Sequence, residues 1–194
     1  MSALLPVSLD LSRLSVALIG NGARTERRLR LLDQADAARL RVFAAKPSAT
    51  LSAAAGDRLN RCLPRAQDLA GVNLVFIADL DPTAVGAIAE TARACGALVN
   101  VEDETGSCDF HSAAVVRRGD LALGISTGGR CPMLARVLKD WLERLLPLDF
   151  GQVIEGLADE RRRLRAAHAG TGPLRTAATR AVARLGFPSS VAAP

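Results

Sequence analysis

Three short segments of this 194-residue chain carry residue types whose spacing suits chemistry. The first is Gly20-Asn21-Gly22, which closes the apolar run Ser15–Ile19. Glycines at such a place permit a tight turn and let a pyrophosphate approach the backbone N–H groups at the start of a helix. A full dinucleotide fingerprint would put Gly or Ala where Thr25 stands, so Thr25 predicts looser helix–strand packing. It would also end the second strand in an acidic residue, whereas Ala44-Ala45-Lys46-Pro47 occupies that place. A tight turn without a ligand carries the same pattern. The second segment, Asn100-Val101-Glu102-Asp103, follows an apolar strand and so lies at the carboxyl edge of a sheet. Asp103 there is a candidate acid or base, and equally a cap for the next turn. The third, Ser126-Thr127-Gly128-Gly129-Arg130, leads into a helix and offers backbone donors, hydroxyls and a guanidinium to an anion. An ordinary capping loop reads the same way.

The elements that must position these residues follow from apolar periodicity. Ser15–Gly20, Leu40–Ala44, Val72–Ala78 and Ala97–Val101 are short apolar runs of the kind that form strands buried on both faces. Between them, Ala23–Asp33 places Leu29, Leu31 and Leu32 among four arginines, a helix with one face on a sheet. A second helix starts at Pro82 behind the cap Asp81 and stops at Gly96. Strand and helix in alternation predict an α/β fold with a parallel sheet. After Glu102 the pattern changes to a glycine-bearing loop, a strand-like run Asp120–Ile125, and a helix from Pro132 to near Pro147 carrying Leu134, Val137, Leu138, Trp141, Leu142 and Leu145. So much apolar surface on one helix calls for a partner, and predicts a homodimer. A further amphipathic helix is expected over 150–168 and another over 174–185, with a frayed tail marked by Gly186 and Pro188.

Composition narrows the partners. With 49% hydrophobic and 23% charged residues the chain can build a sizeable core, so whole-chain disorder is excluded. It has no Tyr and one Trp, hence almost no stacking platform for nucleic acid. The net charge of +5 is carried largely by Arg, which suits a small polyanionic ligand or simply a solvated surface. No export signal and no apolar stretch long enough to span a membrane is read, and Cys62, Cys95, Cys108 and Cys131 form no C-x-x-C pair, so a cytoplasmic protein with reduced thiols is expected. Cys108 and His111 lie close to Asp103, but their spacing matches no standard metal site. His168 is read as an ordinary helical histidine.

Taken together, Leu5-Pro-Val-Ser-Leu-Asp-Leu11, Gly20-Asn-Gly22, Arg27-Arg-Leu-Arg-Leu-Leu32, Ala94-Cys-Gly-Ala-Leu-Val-Asn-Val101, Cys108-Asp-Phe110, Ile125-Ser-Thr-Gly-Gly-Arg-Cys-Pro-Met-Leu-Ala-Arg136 and Leu145-Leu-Pro147 resemble the N-terminal module of siroheme synthase, a family of precorrin-2 dehydrogenases and sirohydrochlorin ferrochelatases. The resemblance covers about 150 residues on this pattern reading. It implies an NAD-binding Rossmann domain at 1–112, a dimerisation and substrate-site region at 113–147, and a small helical C-terminal domain at 148–194. It implies NAD-dependent oxidation of precorrin-2 to sirohydrochlorin, with ferrous iron as a further substrate where the protein also makes siroheme.

By the same resemblance Asp103 is the residue tied to catalysis and the donor to iron. The dinucleotide falls to Gly20, Asn21, Gly22, Ala23, Arg24, Ala44, Ala45, Lys46, Ala78, Asp79 and Asn100. The tetrapyrrole falls to His111, Ser126, Thr127, Gly128, Gly129 and Arg130, with Arg117, Arg118 and Arg136 as further cations for its carboxylates. This chain departs from the family pattern in Asn21 for a middle glycine, in Arg24 and Thr25 for smaller or apolar residues, and in Asp79-Leu80 for Thr-Asp. Lys46 stands where the 2′-phosphate of NADP would be met. Two other readings share the fold: a chelatase without useful NAD binding, and a non-catalytic tetrapyrrole-binding protein.

Overall fold

A computed structural model describes residues 4–185. The chain divides into two compact units, Met1–Ser112 and Ala113–Pro194.

In the first unit, β1 (Ser15–Ile19), β2 (Arg39–Phe43), β3 (Leu59–Asn60), β4 (Leu74–Ile77) and β5 (Leu98–Val101) form one parallel sheet in the order β3-β2-β1-β4-β5. Alternation along each strand divides the core. Val16 and Leu18 of β1 join Leu74 and Phe76 of β4 on one face, while Ala17 and Ile19 join Val75, Ile77, Val99 and Val101 on the other. The first face is covered by α1 (Ala23–Gln34) through Leu29 and Leu32 and by α2 (Ala49–Ala55) through Leu51. The second is covered by α3 (Ala66–Leu69) through Leu69 and by α4 (Pro82–Ala94) through Val85, Ile88, Ala89 and Ala92. Both faces are thus dry, as a parallel sheet requires. The strand order reverses between β1 and β4, and the carboxyl ends of these two strands mark the switch point at which such sheets bind ligands.

The α/β fold with a parallel sheet stands as expected, and α4 starts as read, with Asp81 Oδ1 accepting the Ala84 N–H at 3.0 Å and Pro82 at its first position. The strands begin or end one or two residues inside the expected runs, except that β2 starts one residue earlier, at Arg39. Elements β3, α2 and α3 fill the stretch between β2 and β4 that the periodicity left unassigned.

In the second unit, β6 (Ala114–Arg118) and β7 (Leu121–Ile125) form an antiparallel hairpin around Gly119, whose φ of +58° favours glycine. Helices α5 (Pro132–Leu145), α6 (Phe150–Ala166) and α7 (Gly172–Ala183) follow. β6 lies in the stretch read as loop. Arg118 corrects a second reading: its guanidinium is not available to a substrate carboxylate, because it donates to the carbonyls of Leu146 (2.9 Å), Pro147 (3.1 Å) and Glu143 (2.7 Å) and so closes the C-terminal end of α5. The tail marked by Gly186 and Pro188 lies outside the described residues.

Candidate functional site

The segments leaving β1, β2, β4 and β5 meet around the N-terminal end of α1. Gly20 exits β1 with φ +156° and its N–H on the Phe43 carbonyl at 2.9 Å. A Cβ on Gly20 would stand 2.0 Å from Ala78 O and 2.3 Å from Thr25 Oγ1, so glycine alone lets the strand ends and helix close together. The looser packing expected from Thr25 is therefore not what forms. Thr25 is fully buried, because its hydroxyl finds acceptors inside the contact. Asn21 also has a structural use: its Oδ1 accepts the Lys46 N–H at 2.9 Å and its carbonyl accepts the Ser48 N–H at 3.2 Å. The turn after β1 is thereby fastened to the loop carrying Ala44, Ala45 and Lys46, a link that a middle glycine would make only by its backbone.

Asp79 is the feature that sequence reasoning underrated. Its backbone adopts φ +54°, and its half-buried carboxylate accepts the Thr25 N–H at 2.8 Å and the Thr25 hydroxyl at 3.0 Å. Gly22 caps α1 without a side chain, so the Thr25 amide, third in the helix, would otherwise lack a partner. The first two amides, of Ala23 and Arg24, carry no hydrogen bond among the described residues. A dinucleotide diphosphate fits these groups, because two N–H groups at a helix end suit its oxygens; Gly22 itself packs on Asp79, whose carboxylate a Cβ there would meet at 3.1 Å. A carboxylate already seated on the third amide adds an anion to the same terminus.

Asp103 lies just past β5 with φ +63°, exposed, and its Oδ2 pairs with Arg24 Nη2 at 2.9 Å. That contact brings the candidate acid or base to the first turn of α1. Its neighbour Glu102 pairs with Arg28, whose guanidinium also donates to Ser112 Oγ at 2.7 Å and lies 5.2 Å over the ring of Phe76. Phe76 in turn meets Phe110 edge-on at 5.2 Å. Neither Arg28 nor Glu102 was singled out by spacing, since a pair 74 residues apart leaves no local trace.

Asn100 is brought to the same sheet edge but is buried, and its Nδ2 donates to the Phe110 carbonyl at 2.9 Å, holding the loop after β5. Cys108 does likewise. Its thiol accepts the Val101 N–H at 3.2 Å and faces the Val101 and Glu104 carbonyls as donor, and burial pushes its pKa up against the opposing pull of that N–H. With these three contacts the thiol fastens the loop after β5 to the strand end. His111 is half-buried, and among the described residues no group of three or more His, Cys, Asp or Glu is gathered to hold a metal ion.

In the second unit, Ser126–Arg130 forms a tight turn ahead of α5. Ser126 Oγ accepts the Gly128 N–H at 3.2 Å, Thr127 Oγ1 accepts the Cys131 N–H at 3.2 Å, and Gly128 and Gly129 take φ of +61° and +76°. Both hydroxyls cap the loop in this arrangement. His168, expected within a helix, lies two residues past the end of α6 with φ +50° and its Nδ1 3.3 Å from Arg165 O.

An α/β unit with a glycine turn at the switch of its parallel sheet defines a class, the dinucleotide-binding domains. A family model described as "Putative NAD(P)-binding" matches residues 7–114, more than half of the chain, and the chain belongs to that family. Its relatives include siroheme synthases. The one of Methylococcus capsulatus is 36% identical over 166 residues, 84% of this chain and 35% of the relative, and the one of Stutzerimonas stutzeri is 36% identical over 160 residues, 80% and 34% respectively. The chain thus spans about a third of the length of these curated relatives. A solved structure titled "SirC, precorrin-2 dehydrogenase" superposes with a TM-score of 0.72 over 89% of this chain and 86% of that one, and at 24% identity that likeness speaks for the fold alone. The resemblance to the siroheme synthase N-terminal module is borne out by these relatives, and the cofactor class is the nicotinamide dinucleotide. No helix among the described residues is long and apolar enough to cross a membrane.

Proposed function

We propose that this chain oxidises precorrin-2 to sirohydrochlorin with NAD. The observation that carries the reading is the 2.9 Å pair between Arg24 and Asp103, which holds a carboxylate beside the glycine turn of an NAD(P)-binding unit. The oxidation removes one hydride and one proton from the macrocycle. NAD, when bound, supplies the hydride acceptor. Gly20, Asn21, Gly22, Ala23 and Arg24 hold its diphosphate, with Ala44, Ala45, Lys46, Ala78 and Asp79 around it. Asp103 receives the proton at a carboxylate oxygen, and its exposure lets it pass that proton to water. His111, Ser126, Thr127, Gly128, Gly129 and Arg130 bind the substrate, whose carboxylates suit guanidinium and backbone donors. Ferrous insertion, with iron as substrate, falls to Asp103 as an oxygen donor.

In the same reading, 1–112 is the dinucleotide domain, 113–147 the dimerisation region and 148–194 a helical C-terminal domain. Helix α5 leaves Met133, Leu134, Val137, Leu138 and Trp141 exposed along one side, an apolar face that a second copy would bury. Four free thiols suit a reducing cytoplasm. The test is incubation of the purified chain with precorrin-2 and NAD, then with ferrous iron, followed by absorbance. Stoichiometric NADH with sirohydrochlorin supports the reading. Iron insertion without NADH formation would replace it with a chelatase, and neither change would leave a tetrapyrrole-binding protein.

A further inference from the structure

One face of α1 forms a small basic pocket that shares Arg24 alone with the proposed dinucleotide site and runs on from it along the helix. Arg24, Arg27, Arg28 and Leu31 stand three, four and seven residues apart, hence on one side of the helix, and Glu102 closes the pocket opposite them. Its charges are unevenly matched. Arg28 is neutralised by Glu102 and lies 5.2 Å over the ring of Phe76. Arg24 is matched by Asp103 at 2.9 Å, with both side chains about half exposed or more. Arg27 has no ion pair or hydrogen bond among the described residues. The pocket therefore keeps one uncompensated guanidinium beside a second whose partner is exchangeable, since an exposed ion pair contributes little to stability.

Size decides what fits. A depression of about 150 Å³ holds one carboxylate-bearing side arm, whereas a whole nucleotide or macrocycle fills ~300–1,000 Å³ and would extend beyond it. The apolar Leu31 and the methylene stems of the arginines suit such an arm, and paired guanidinium groups suit its head. We propose that this pocket is a subsite for one carboxylate arm of the polycarboxylate substrate, gripped by Arg27 and Arg24. A carboxylate arriving on Arg24 takes over the partner of Asp103, so that anchoring the arm frees the proton acceptor next to it. The subsite rests on the oxidation reading above.

The experiment compares wild type with Arg27→Gln, and with Arg30→Gln as a control on the exposed helix surface outside the pocket. Precorrin-2 kinetics, NADH binding and binding of uroporphyrin, a stable octacarboxylate tetrapyrrole, are measured on the full chain. Arg27→Gln should raise the KM for precorrin-2 and the Kd for uroporphyrin about tenfold each, with kcat and NADH affinity within twofold, and Arg27→Lys should recover part of the loss. Unchanged KM and uroporphyrin binding overturn the subsite. So does a loss confined to NADH, which would assign the pocket to the cofactor's phosphates. If wild type oxidises no precorrin-2 yet uroporphyrin binding still depends on Arg27, the oxidation reading fails and the carboxylate subsite stands.

Discussion

Asp79→Asn should tighten NAD binding, against the usual expectation for a site residue. The Asp79 carboxylate sits 2.8 Å from the Thr25 amide, and a diphosphate held on the Ala23 and Arg24 amides would lie roughly one helical pitch away, about 6 Å. Two unit charges at about 6 Å repel by ~3 kcal/mol at an effective dielectric of about 20 and ~0.7 kcal/mol in bulk water. Asp79 is half-buried, so a value between these limits, about 1.4 kcal/mol, is appropriate, and that is about tenfold in Kd. Asparagine keeps an oxygen for the Thr25 amide and tolerates the φ of +54°, whereas a β-branched residue would not. The substitution gives up a charge-assisted bond at a helix N-terminus, so the protein should lose ~0.5–1 kcal/mol of stability while gaining affinity. Calorimetric titration at low and high salt is the assay, because screening should shrink the gain as ionic strength rises. Unchanged or weaker NAD binding by a folded Asp79→Asn protein refutes the reasoning and assigns the carboxylate to the cofactor as an acceptor.

Other substitutions probe the supports of the site. Gly20→Ala drives a Cβ to 2.0 Å from Ala78 O, so it should cost ~3 kcal/mol or more and lower Tm by several degrees in a thermal scan. Trp141→Asp, on the exposed apolar side of α5, should turn a dimer into a monomer in sedimentation at micromolar concentration; a monomeric wild type would remove the dimer from the account. The raised pKa of Cys108 means that the folded state releases this proton later than the unfolded state, so its contribution is complete below the ordinary thiol pKa and is lost as pH rises from there through the raised folded-state pKa. Urea titrations between pH 7 and 10 should show that decline in wild type and less of it in Cys108→Ala. Cys62 and Cys131, both exposed, should also alkylate faster than Cys108.

The parts of the fold that the chain announces are those built on long apolar periodicity. Ser15–Ile19 and Leu74–Ile77 are buried on both faces, and Asp81-Pro82 starts α4 by local chemistry alone. What stayed hidden has little periodic signal: β3 has two residues, α2 is alanine-rich with Leu51 and Ala55 its buried contacts, and β6 ends in two arginines. The glycine turn and Asp103 were legible as candidates because each follows a strand. Their coupling was not, since Thr25 meets Asp79 across 54 residues and Arg24 meets Asp103 only once four strand ends converge. The two departures at Thr25 and Asp79 prove to be one feature, a hydroxyl and an amide answering a carboxylate.

The central claim is that Asp103 takes the proton in an NAD-dependent oxidation performed by this chain. Single-turnover oxidation of precorrin-2 by saturating enzyme and NAD, for wild type and Asp103→Asn side by side, addresses it most directly. General acid–base assistance typically contributes ~10²–10⁴-fold, so the wild type should form one NADH per precorrin-2 and the variant should do so slower by a factor in that range, with NAD affinity unchanged. Equal rates in a folded, NAD-binding Asp103→Asn protein, or no NADH from the wild type, would contradict the account.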